Sequence, residues 1–155
     1  MTKEETIVKD ILAKFSSLEE KIVIARQRRI FIEVTLENYR EIMQYMKSNM
    51  SFGMLCTITG LDMGEEFQVI YHLAKDEGVI VSLRLNIDKK NPVVNTVTDI
   101  YEGTTLYERE LIDMFGINVI GLPQGNRYPL PDGWPQDEHP LRKDWKAKDS
   151  ATPQE

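Results

Sequence analysis

The sequence predicts an α+β fold: a mostly antiparallel sheet with helices packed on one face, followed by an extended, proline-rich C-terminal arm. Three observations carry this reading. Two stretches show helical apolar spacing, five runs are β-branched or alternate with polar residues, and prolines crowd the chain after residue 120. With 155 residues, 41% of them apolar and 28% charged, the chain has room for one core, expected over residues 1–120, and not for two.

In residues 1–18, Ile7, Val8, Ile11, Leu12, Phe15 and Leu18 recur at three- and four-residue spacings between Lys and Glu, the stripe of an amphipathic helix. Two short strands follow, Ile22-Val23-Ile24 and Ile30-Phe31-Ile32-Glu33-Val34, around a basic turn at Arg26, Arg28 and Arg29. Residues 36–50 return to helical spacing through Leu36, Tyr39, Ile42, Met43 and Met46. Three longer strands are expected over 54–62, 66–75 and 79–87, punctuated by Gly64-Glu65 and Asp76-Glu77-Gly78. In the last of them Val79, Val81, Leu83 and Leu85 alternate with Ser82, Arg84 and Asn86, so one face is buried and the other wetted.

Beyond Pro92, residues 93–101 and 104–115 both read as helical. For the second, Thr104 or Thr105 is the expected N-cap, with Glu108 completing a capping box, and Gly116 is the terminator. From 121 to 140 five prolines and three glycines deny both helix and central strand, yet Tyr128, Trp134 and Trp145 do not suit a solvated linker. Residues 121–145 are therefore expected to form an extended arm for docking a partner. Composition leaves open that the arm folds back over its own sheet, and residues 146–155 are expected to fray.

Composition also excludes functions. A formal charge of −6 disfavours nucleic acid, one cysteine forms no internal disulfide, and two histidines supply no Cys-rich metal site, so no bound metal is expected. No apolar window is long enough for a membrane span, and the first twenty residues do not read as an export signal. No glycine-rich phosphate loop, G-x-S-x-G, H-E-x-x-H or C-x-x-C occurs. What chemistry remains is the charge cluster Glu108, Arg109, Glu110 and Asp113, where Arg109 and Asp113 lie one helical turn apart and can pair. Two other readings compete with a structural network: an acid/base pair at Glu108 and Glu110, and an anion site on the basic hairpin.

Two blocks resemble one family. They are E-R-E-L-I-D-M-F-G-I at 108–117 and P-L-R-K-D-W at 140–145. Together they look like the 30 kDa-type component of the proton-pumping NADH:quinone oxidoreductase (complex I) and its relatives in energy-converting membrane-bound NiFe hydrogenases. The resemblance implies a non-catalytic peripheral-arm subunit of an ion-pumping electron-transfer complex. Such a protein holds no cofactor itself. Iron–sulfur clusters, and a NiFe centre in the hydrogenase type, belong to its partners, a large subunit homologous to the hydrogenase large subunit and a small iron–sulfur subunit. Membrane contact is then only through the complex, on the cytoplasmic face. The residues carried over are Glu108, Arg109, Glu110, Asp113, Phe115 and Gly116 in the first block and Pro140, Leu141, Arg142, Lys143, Asp144 and Trp145 in the second. Arg127, Tyr128 and Trp134 of the connecting arm join them as partner-docking residues. The run Leu122-Pro-x-Gly-x-Arg127-Tyr128-Pro-Leu-Pro131 resembles the hydrogenase type more than the respiratory one, and Leu106 stands where the family often has a tryptophan.

Overall fold

The computed structural model describes residues 1–147; the tail expected over 146–155 lies, from residue 148 onward, outside them. Helix α1 spans Lys3–Lys14 and opens with a reciprocal cap, Glu5 N donating to Thr2 Oγ1 and Thr2 N donating to Glu5 Oε2. It ends short of the apolar stripe. Phe15 leaves helical geometry, and a tight turn over Ser16–Lys21 delivers Leu18 to the core instead. Strands β1 (Ile22–Arg26) and β2 (Arg29–Val34) form the expected hairpin. Helix α2, Tyr39–Met50, then buries Tyr39, Ile42, Met43 and Met46 completely, each contributing about 1.5–3 kcal/mol by leaving water.

Strands β3 (Met54–Asp62), β4 (Glu66–Lys75) and β5 (Val79–Asp88) follow as a meander, and β5 returns to lie parallel to β2. The order across the sheet is β1-β2-β5-β4-β3; the parallel β2–β5 pair sits among antiparallel neighbours, as a mostly antiparallel α+β sheet requires. Phe67, Val69, Tyr71 and Leu73 of β4 and Val81, Leu83 and Leu85 of β5 point into one core with α1, α2 and α3, the last being Thr105–Phe115. Tyr39 stacks on Tyr71 at 5.6 Å and Phe115 meets Phe67 edge-on at 5.7 Å, so α2 and α3 lie over the same sheet face.

The expected helix over 93–101 does not form. Val93–Asn95 is strand β6, which pairs in parallel with β7 (Asn118–Ile120) through Val94 and Val119, and the Tyr39 hydroxyl bonds both the N–H and the C=O of Asn95. β-branched residues after Pro92 favour extended backbone, and the partner strand lies far downstream, beyond the reach of local spacing. The expected capping box at α3 is also absent. Thr104 Oγ1 donates to Tyr101 O, and Glu108 turns instead to the β6 segment, accepting from Val97 N at 2.7 Å and Thr96 Oγ1 at 2.5 Å. At the other end Gly116 ends the helix as expected, with φ 71° and its N–H on Ile112 O.

Candidate functional site

Residues 121–147 contain neither helix nor strand and run back along α3 and the far end of β3. Two buried carboxylates hold them there. Asp113, 5% exposed, accepts from Arg127 Nε and from Leu130 N, each at 3.1 Å, while its backbone carbonyl lies 2.9 Å from His139 Nδ1. Asp62, at the end of β3, accepts from Lys89 Nζ at 2.7 Å, Lys143 N at 2.8 Å and Gly64 N at 2.9 Å. Ionised acceptors holding several N–H groups in a partly dry setting make the stronger kind of hydrogen bond.

The two sequence blocks meet in space through backbone carbonyls at the end of α3, beside these carboxylates. Leu141 N donates to Met114 O, and the Arg142 guanidinium lies 5.2 Å from the Phe67 ring centre and reaches Phe115 O. Asp144 approaches Arg142 and Lys89, and Pro140 is half-buried. His139 fits under the helix terminus so closely that a Cβ on Gly116 would lie 2.6 Å from its Nε2. Trp134 and Trp145 pack at 6.0 Å and both indoles donate to Glu138, while Tyr128 and Leu141 keep much of their surface in water.

Arg109 does not pair with Asp113, as helical spacing suggested. It reaches Asn126 O and Pro123 O, its guanidinium against the backbone of Gly125, because Asp113 is already taken by Arg127. Between α3 and the arm lies a groove of about 320 Å³ lined by Arg109, Ile112, Leu122, Arg127 and His139. Nor do Glu108 and Glu110 converge. Burial pushes the Glu108 carboxyl above its usual range and Thr96 and Val97 engage both oxygens, while Glu110, two residues on, faces another side of α3. On the basic hairpin, Glu4 accepts from Arg28 N and Arg29 bonds the carbonyls of Arg28 and Gly78; Arg26 and Arg28 are exposed. No three His, Cys, Asp or Glu side chains gather to hold a metal ion among the described residues, and no described helix is long and apolar enough to cross a membrane.

Asp62 and Lys89 escaped the sequence reading. The available signal was Asp62 two residues before Gly64, a hairpin-end pattern, but nothing local announces that the carboxylate is buried. Burial raises the Asp62 carboxyl, yet the Lys89 ammonium and the Lys143 and Gly64 N–H groups outweigh it and hold it at about 2, against 3.8 when free. A lowered folded-state value means the clamp contributes fully above pH 3.8 and is lost as the pH falls toward 2. Tryptophan emission from Trp134 and Trp145 should accordingly shift as the arm loosens across that window. In an Asp62→Asn chain it should already be shifted at neutral pH; identical titrations in the two chains would refute the clamp.

The fold and site define a class: a helix-backed sheet domain carrying an irregular C-terminal segment on buried carboxylates. Residues 32–151 match the family described as respiratory-chain NADH dehydrogenase, 30 Kd subunit, and the chain belongs to that family. The C component of the F(420)H(2) dehydrogenase of Methanosarcina mazei is 29% identical over 145 residues, covering 92% of this chain and 91% of the relative. A membrane-bound hydrogenase subunit beta of Pyrococcus furiosus is 29% identical over 158 residues, covering 95% and 88%. The joined C/D polypeptide of the NADH-quinone oxidoreductase of Phocaeicola vulgatus is 36% identical over 118 residues, 74% of this chain but only 22% of that longer protein. Among solved structures, a chain of the membrane-bound sulfane sulfur reductase, an archaeal respiratory membrane complex, superposes with a TM-score of 0.83 at 29% identity, covering 94% of this chain and 86% of that one.

Proposed function

We propose that this chain is a non-catalytic peripheral subunit of a membrane-anchored, ion-pumping electron-transfer complex, of the energy-converting hydrogenase type. The observation that carries the reading is that the C-terminal segment is held along α3 and β3 by Asp113, Asp62 and the carbonyls of Met114 and Phe115, which leaves Tyr128 and Leu141 exposed beside the half-buried Trp134–Trp145 pair. That is an anchor for a neighbour rather than a reaction centre, since exposed aromatic and leucine side chains on an ordered segment bind at low entropic cost.

In this reading the chain binds no cofactor. Iron–sulfur clusters, and a NiFe centre, reside in the large and small partner subunits, and membrane contact on the cytoplasmic face runs through them. The joined C/D relative supports the large subunit as a neighbour, and the near full-length matches to the hydrogenase subunit beta and the sulfane sulfur reductase chain support the hydrogenase-related branch. The 30 kDa-type component of a respiratory NADH:quinone oxidoreductase is the second reading, favoured by the family match itself.

Tagging the chain, extracting native membranes in mild detergent and measuring the metals of what co-purifies tests both. Large and iron–sulfur subunits arriving with nickel are the expected result. Iron without nickel, beside a flavin-bearing NADH-oxidising subunit, selects the second reading, and a chain recovered alone refutes the complex.

A further inference from the structure

Helices α1, α2 and α3 and the C-terminal segment pack on one side of the sheet, and the strand register places Val23, Phe31, Arg84, Ile70, His72, Ile80 and Leu61 on the other. This face is more apolar than a simply wetted one. Ile70 is 8% exposed, Phe31 and Ile80 are half-buried, and Val23 and Leu61 stand 58% and 40% exposed toward its two edges. Its polar groups largely satisfy one another across the strands. His72 lies 3.0 Å from Thr59 Oγ1 and 2.9 Å from Ser82 Oγ, and Gln68 donates to Asn86 at 2.9 Å.

Arg84 is different. Its guanidinium lies 3.8 Å from the Phe31 ring centre, and its Nε is buried with no hydrogen-bond partner among the described residues. Glu33 faces it on β2, yet the two form no ion pair. A ring-stacked guanidinium is held flat with its donor edge fixed, an arrangement matched to a planar carboxylate. The rest of the guanidinium stays part-exposed and, among the described residues, without an ion pair, so the middle of an apolar face carries a cation that a partner's acid can meet.

We propose that the helix-free face of the sheet is a second docking surface, on which Arg84 receives a carboxylate side chain of a neighbouring subunit while Val23, Phe31, Ile80 and Leu61 bury apolar area around it. The unpaired cation selects an acidic group, and the surrounding apolar side chains select a protein surface over a free anion. The inference rests on the complex-subunit reading and extends it to a face that carries neither of the family blocks.

The test uses the tagged full chain in its native complex. Arg84→Glu should lower the recovery of co-purifying subunits at least tenfold, Arg84→Lys should fall between, and Lys9→Glu on exposed α1 should match the unaltered chain. The thermal midpoint of each isolated chain checks the fold. A benzophenone side chain placed at Val23 gives a readout independent of folding defects, and it should crosslink to another subunit of the complex. Normal recovery with Arg84→Glu, a crosslink to a second copy of this chain, or no crosslink in an assembled complex each overturns the surface while leaving the complex reading intact. If the unaltered chain brings down no partner, both fall together.

Discussion

Asp113→Ala should release the C-terminal segment from α3 and speed tryptic cleavage after Arg127 and Lys143 by roughly a hundredfold, with the sheet domain left folded. Asp113 and Arg127 have side chains only 6% and 15% exposed, so truncating the acid strands a nearly buried guanidinium and also orphans the Leu130 N–H. Removing one member of a buried pair costs about 3–5 kcal/mol, and each 1.4 kcal/mol is tenfold in the open fraction. The loss is local because the segment adds no strand to either sheet, and cleavage follows the open population when reclosing is fast. Asp113→Asn keeps an acceptor for Leu130 and should show a smaller rise. Cleavage of Asp113→Ala at the unaltered rate would mean that the arm is held by something other than this carboxylate. The same variant bears on function, since a loosened arm should also recover less of the partner subunits.

Gly60→Val should destabilise the whole domain by about 2–3 kcal/mol, read as an earlier urea midpoint at unchanged slope. A Cβ at Gly60 would lie 2.4 Å from Phe115 Cε2 and 3.0 Å from Leu111 Cδ2. Neither side chain has room to give way, because Phe115 is 3% exposed and wedged against Phe67, and Leu111 is 1% exposed. The missing side chain is what lets α3 lie directly on β3, and that contact in turn sets the height at which Asp113 and Asp62 meet the arm. Gly53→Ala is the control, with nothing within 4 Å of the added carbon. An equal midpoint for Gly60→Val and Gly53→Ala would show that α3 is free to move away.

Local pattern was enough for the regular elements. The strands Met54–Asp62 and Glu66–Lys75 stand where alternation and glycine punctuation put them, and α3 stops at the glycine expected to stop it. These signals are carried by neighbours in the chain, a period of two or 3.6 and a residue that tolerates positive φ, so they survive without a tertiary context. The two family blocks were legible too, as strings. What joins them was not. Asp113 exchanged its expected partner one turn away for Arg127, Glu108 left the helix cap for Thr96 and Val97, and Asp62 took up a backbone N–H 81 residues downstream.

The same contrast separates 93–101 from the rest. It read as helical, but β7 offered Val94 a paired strand and Tyr39 offered Asn95 a hydroxyl, both from parts of the chain a local window never reads. By itself, then, the sequence determined the α+β class, the buried sheet face and the family to which the chain belongs, because periodicity and motif are properties of adjacent residues. Only the tertiary structure decided which carboxylates are buried, which cations they hold and that Arg84 has no ion-pair partner among the described residues. Burial and pairing depend on distances between residues far apart in the chain, and those distances exist only once the core has closed.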